Sequence, residues 1–199
     1  MTRAALGLRV HSGWAAAVVV AGDPRSPAAI TRRRIELVDH STRDAKQPYH
    51  AAAEMDPKDA EKFIHQAIER TALHALHALS ELIDGVRKNG HSVSGCGMLL
   101  ASGRPLPALA ATLASHALIH TAEGELFRNA LANAARQQKL PVTAVRERDL
   151  YASAAGALGL PVDRLREHTS AMGRAVGSPW RQDEKLAALV AWLALVSRK

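Results

Sequence analysis

Hydrophobic positions along this chain change their period several times, and each change marks an expected element. Residues 4–10 carry Ala4, Ala5, Leu6, Leu8 and Val10 with hardly a polar interruption. A turn at Ser12-Gly13 follows, and residues 14–21 then run into Val18, Val19 and Val20. Short apolar, β-branched runs bounded by turn formers read as strands. Gly22-Asp23-Pro24-Arg25-Ser26-Pro27 is dense in turn formers, and a third strand is expected over 29–38, where Ile30, Arg32, Arg34 and Ile35-Glu36-Leu37 alternate imperfectly. Three strands joined by short turns predict an antiparallel meander.

The period disappears over 39–56, which predicts a loop holding Gln47-Pro48-Tyr49-His50. Asp56-Pro57 has the form of an N-cap followed by proline at the first helical position. Beyond it Ile64, Ile68, Ala72, Ala75, Leu76, Leu79, Leu82, Ile83 and Val86 recur at helical spacing, so Ile64, Ile68, Ala75, Leu79 and Ile83 are expected to pack on the sheet. Arg87 and Lys88 suit the helix C-terminus and Asn89-Gly90 stops it. A buried strand over 93–102 comes next, then a weakly helical stretch over 105–119 broken by Pro105 and Pro107. Thr121 opens a helix with Leu126, Phe127, Ala130, Leu131 and Ala134 on its apolar side. A strand over 140–145 precedes helices over 150–158 and 162–176, and a last helix capped by Ser178-Pro179 with Leu186, Leu189, Val190, Leu193 and Val196 as its stripe. Its apolar run over 186–196 is too short to span a bilayer, which takes about 20 residues. Strands separated by a long helix need a right-handed crossover, so the later strands are expected to run parallel to the first.

This order of elements resembles the ribonuclease H-like superfamily, which includes RuvC-type junction resolvases and actin-like ATPases. The resemblance implies an α/β domain over 1–199 with a five-stranded mixed sheet: three antiparallel strands, then helix, strand, helix, strand, with flanking helices. A helical C-terminal portion begins at about residue 147. The tail from Gly177-Ser178-Pro179-Trp180 through Asp183-Glu184-Lys185-Leu186-Ala187-Ala188-Leu189 is similar to the acidic, alanine-rich final helix of RuvC-type nucleases. Those nucleases hold two metal ions with clustered carboxylates, so that both attacking and leaving oxygens are stabilised. The resemblance implies an aspartate on the first strand, where this chain has Leu8-Arg9-Val10-His11, and an acid near the fourth, where it has Leu100-Ala101-Ser102-Gly103. Only Asp183 or Glu184 is available to stand in for the last acid. Arg9 at the centre would oppose metal binding, which argues against two-metal nuclease chemistry. The ATPase branch needs a glycine-bearing phosphate loop after the first strand, and His11-Ser12-Gly13 is only a turn. No Walker or dinucleotide glycine motif occurs.

Composition changes this picture in two respects. The 199 residues include one cysteine, Cys96, set in an apolar run. No internal disulfide can form, Cys96 reads as a small buried hydrophobe, and a reducing, cytoplasmic compartment is expected. The net charge is +7, and it is unevenly spread. Basic and acidic residues number eight and four in 1–50, five and seven in 51–100, six and four in 101–150, and seven and four in 151–199. Such basic ends favour RNA or another polyanion as partner, and no membrane is implicated.

Candidate chemistry gathers between Ser115 and Arg128. On a continuous helix His116 and His120 share a face, with Glu123 one turn on and Glu125 beyond it. His120, Glu123 and Glu125 are candidate catalytic groups, with His116 able to complete a metal site or an acid–base pair whose ion the sequence does not specify. The competing reading makes Thr121 a helix cap, with both glutamates favoured by the dipole. Tyr49 and His50 in the long loop, Arg128, and the run Arg32, Arg33, Arg34 are candidate binding residues, although a charged run also protects an edge strand. His65, His74 and His77 fall off the apolar stripe and read as solvent-facing. Three functional expectations result: a binding module without nuclease chemistry, an enzyme at the His116–Glu125 cluster, or an oligomer with Trp180 and Trp192 in its interface.

Overall fold

The computed structural model describes residues 1–101 and 105–197. Strands β1 (Thr2–His11), β2 (Trp14–Ala21) and β3 (Ala28–Glu36) form the expected meander. A five-residue helix α1 (Pro48–Ala52) is followed by the long α2 (Pro57–Lys88), β4 (His91–Leu100), α3 (Leu109–Leu113), α4 (His116–Gln137) and β5 (Val142–Arg146). Three helices close the chain: α5 (Leu150–Leu158), α6 (Val162–Val176) and α7 (Gln182–Val196). The sheet order is β3-β2-β1-β4-β5, with β1–β2 and β2–β3 antiparallel and β1–β4 and β4–β5 parallel. The arginine-bearing β3 is thus an edge strand.

Alternation along the central strands sorts the core into two layers. Leu6, Leu8, Ala15, Ala17 and Val19 face α2 and α4, whereas Ala5, Val18 and Val20 face α7. Cys96 is fully enclosed, and burial pushes its thiol up to about 12, so it is packing material and not a nucleophile. The whole segment Leu186–Leu195 of α7 is buried, because the sheet covers one side and α5 and α6 the other. The expected single stripe is therefore a helix apolar all round, as befits a central helix.

Glycines set how closely α7 lies on the sheet. A Cβ on Gly7 would stand 1.9 Å from the Ala187 carbonyl oxygen, and one on Gly97 would stand 2.1 Å from that of Val190. Only a strand without side chains there admits the helix backbone. Because Gly7 meets Ala187, Arg9 two residues along β1 comes level with Asp183, one helical turn earlier.

Several local expectations are corrected. Ile68 is 44% exposed, since the buried stripe of α2 passes through Ile64, Ala67, Thr71, Ala75 and Leu79, leaving Ile68 off its edge. The stretch at 48–52 is helical, opened by Pro48 at its first turn. The fourth strand ends at Leu100, and Ser102 and Gly103 lie outside the described residues. Helix α4 begins at His116, so Thr121 is internal and donates its hydroxyl to Ala117 O at 3.0 Å. Arg181, not Ser178-Pro179, precedes α7, with its N–H donating to the Glu184 carboxylate at 2.7 Å in a capping box. Trp192 is fully buried and donates to Pro24 O, while Trp180 lies against Gly173 and donates to Thr169 O. Trp192 is thus core, while Trp180 is half-buried against α6.

Candidate functional site

Parallel strands β1, β3, β4 and β5 all end on one edge of the sheet, and the polar groups of interest belong to segments at or just beyond that edge. Two clusters form, one around Arg9 and one around His50.

At the end of β1 the guanidinium of Arg9 is held between two carboxylates. Its Nη1 donates to Asp183 Oδ1, and its Nη2 donates to Glu147 Oε1 at 3.1 Å. Asp183 arrives on the first turn of α7, and Glu147 follows directly on the last residue of β5. His11 Nε2 lies 2.9 Å from Arg9 Nη1 and 3.1 Å from Asp183 Oδ2. Unprotonated, that nitrogen accepts from Arg9; protonated, it donates to Asp183. Burial, the largest influence, lowers the pKa of His11 below its ordinary value and Arg9 pushes the same way, while Asp183 opposes them without prevailing. The His11 ring stacks on Trp14 with centroids 4.2 Å apart, and Arg34 covers the same indole at 3.8 Å. Both acids of this cluster are paired with the Arg9 guanidinium. That a cation occupies this point of β1 was legible in the sequence. Glu147 and His11 were missed as its partners, although an acid directly after the last strand was a usable signal.

The second cluster joins residues 73 positions apart. His50 Nδ1 donates to Glu123 Oε1 at 2.8 Å, and the His50 backbone N–H points to the same oxygen at 3.3 Å. Glu123 is 2% exposed, one of four buried polar or charged residues among those described. The rings of His116 and His120 stand edge-on to each other with centroids 4.5 Å apart, and to His50 at 5.4 and 4.7 Å. One donor atom from each of the three lies within 4.8 Å of the others. Tyr49 anchors α1 in the core, and burial, followed by the Glu123 charge, raises its phenol pKa.

The remaining candidates lie elsewhere. Glu125 pairs with Arg128 at 3.1 Å, and the Arg128 guanidinium lies over Gly124. Arg32 donates to the carbonyls of Gly177 and Ser178, fastening the α6–α7 connection, and Arg34 is engaged by Trp14 and Glu36. Arg33 is exposed and faces the α2 side, beside Leu82 and Val86. The arginine run is therefore split between the two faces of an edge strand, and it forms no single patch.

No family model matches the sequence, and no curated protein matches it. Solved structures do resemble it. One is T. thermophilus RuvC in complex with Holliday junction substrate, with a TM-score of 0.55, 11% identity, and coverage of 96% of this chain and 90% of that one. Another is the Thermus thermophilus RuvC structure, with a TM-score of 0.52, 11% identity, and coverage of 95% and 91%. At that identity the likeness establishes the fold: the chain has a ribonuclease H-like α/β fold with a mixed five-stranded sheet.

Proposed function

We propose that this chain is a nucleic-acid-binding module of ribonuclease H-like fold that does not cut what it binds. The observation that carries the reading is Arg9 with its two carboxylate partners at the end of β1. Two-metal hydrolysis needs carboxylates free to collect divalent cations, and a guanidinium that donates one hydrogen bond to each of Asp183 and Glu147 engages them and adds repulsion. Losing the chemistry does not require losing the ligand, because backbone contacts to phosphates come from surface cations.

Fold alone does not imply function, so the binding half rests on charge and placement. The net charge is +7. The basic first and last quarters of the chain adjoin in space, since Ser26 before β3 contacts His168 of α6 at 3.3 Å and Arg32 reaches the α6–α7 connection. Arg25, Arg33 and Arg174 around this edge are exposed and make no ion pair among the described residues. A fold neighbour bound to a Holliday junction supports nucleic acid as the ligand class. Few aromatics are present for stacking on bases, so preference among sequences should be slight.

The test incubates labelled four-way junction, duplex DNA and mixed-sequence RNA with protein and magnesium or manganese, then resolves native and denaturing gels. Retarded complexes with intact strands are expected. Cleavage that survives repurification and vanishes in an Asp183→Asn variant would overturn the reading.

A further inference from the structure

We propose that His50, His116 and His120 bind one divalent transition-metal ion of the zinc class, with Glu123 as the carboxylate that orients His50. The inference is independent of the nucleic-acid reading and of the Arg9 centre.

Three features carry it. The first is convergence: α1 and the start of α4 bring three imidazoles together so that one donor atom from each lies within 4.8 Å of the others. Around a tetrahedral ion at the usual Zn–N distance of about 2.0–2.1 Å, nitrogens stand roughly 3.3 Å apart. No separation therefore has to close by more than about 1.5 Å. His116 and His120 are exposed on one face of α4, so rotation of their side chains meets little packing.

The second feature is the buried acid. A carboxylate can only accept, so the hydrogen bond to Glu123 places the His50 proton on Nδ1 and leaves Nε2 with a free lone pair. Metal-binding histidines characteristically give their second ring N–H to such a partner, which fixes tautomer and ring direction. The second bond, from the His50 backbone N–H to the same oxygen, ties the orienting group to α1 itself.

The third feature is the donor set. Three neutral nitrogens suit zinc, cobalt, nickel or copper, and not the magnesium that carboxylates collect. Three protein ligands also leave a fourth position, which faces solvent between the exposed rings of His116 and His120 and would hold an exchangeable water.

The experiment uses the full chain without an affinity tag, stripped with chelator and titrated with Zn2+ by calorimetry and with Co2+ by visible absorption. One ion per chain and a cobalt spectrum of nitrogen-rich, low-coordinate type are expected. His116→Ala with His120→Ala should weaken binding at least 100-fold, and Glu123→Gln about 10–100-fold, the usual effect of losing an orienting partner. His65→Ala with His77→Ala, at solvent-facing positions on α2, should leave it unchanged. Zinc should raise the melting temperature of wild type and not of the His116/His120 double variant. Metal-free melting of that variant should match wild type, which separates loss of the site from loss of the fold. Absence of stoichiometric binding, or wild-type affinity in the double variant, would overturn the proposal.

Discussion

His11 sits where two neighbours want opposite things of it. Arg9 donates to an unprotonated Nε2, Asp183 accepts from a protonated one, and burial sides with Arg9. The pKa in the folded protein therefore lies below the unfolded value of about 6.5. A base depressed by folding binds more protons when unfolded, so its contribution to stability is complete above the unfolded pKa and is lost as pH falls through the folded one. The melting temperature of wild type should accordingly drop faster than that of His11→Gln between pH 7.5 and the folded pKa; parallel curves would contradict the assignment. Replacing Arg9 with Gln removes one of the two depressing influences, and the His11 titration followed by NMR should move up. A downward move would mean that Asp183, released from Arg9, no longer approaches the ring.

At the scale of elements, α7 is the keystone of one layer, and its closeness depends on missing side chains. Gly7→Ala puts a methyl 1.9 Å from the Ala187 carbonyl oxygen and 2.8 Å from the Ala191 Cβ. The helix must lift, which should cost about 1–3 kcal/mol or more. It should also pull Asp183 from Arg9. Denaturant unfolding of the variant checks the first effect, and a shifted His11 titration the second. Helix α2 offers a paired control. Leu79 is fully buried, so Leu79→Asp should cost several kcal/mol, while Ile68→Asp, at 44% exposure, should stay within about 1 kcal/mol. Similar losses at both positions would mean that the face of α2 is misassigned.

These elements also mark where sequence reading reached and where it stopped. Helix α2 starts and ends where Asp56-Pro57 and Asn89-Gly90 place it, since caps are local chemistry. Ile68 escaped because a stripe over 32 residues drifts around its helix, and several apolar positions fall on the flank. Helix α1 is five residues long, too short for periodicity to register, and only Pro48 announced it. The start of α4 was placed five residues late because Thr121 has the character of a cap and its true predecessor, Ser115, makes no side-chain capping bond. The shared face of His116 and His120 was nonetheless legible from their spacing of four. The approach of His50 to Glu123 spans 73 residues and could come only from tertiary packing.

Across the whole molecule, the order of strands and helices sufficed to anticipate the fold, since a meander followed by two crossovers leaves few topologies open. The proposed function rests on which side chains occupy the strand ends, and at the end of β1 that is Arg9 paired with Asp183 and Glu147. The Arg32–Arg34 run cannot serve as the test surface, because Arg32 and Arg34 hold the α6–α7 connection and Trp14. Arg25, Arg33 and Arg174 carry no such duty among the described residues. Replacing all three with serine should spare the melting temperature and weaken binding to every sequence alike, as loss of phosphate contacts does.

Nucleic-acid binding is tested most directly by its salt dependence, measured by fluorescence anisotropy with a labelled duplex across a fourfold range of salt. Cations that neutralise phosphates release condensed counterions, so log affinity should fall linearly with log salt. Six contacts would mean a loss of roughly a thousandfold over that range. The Arg25/Arg33/Arg174 triple variant should show a slope shallower by up to about 2.7, at about 0.9 per phosphate lost. Absence of binding at the lowest salt, or a slope unchanged in the triple variant, would contradict the proposed binding.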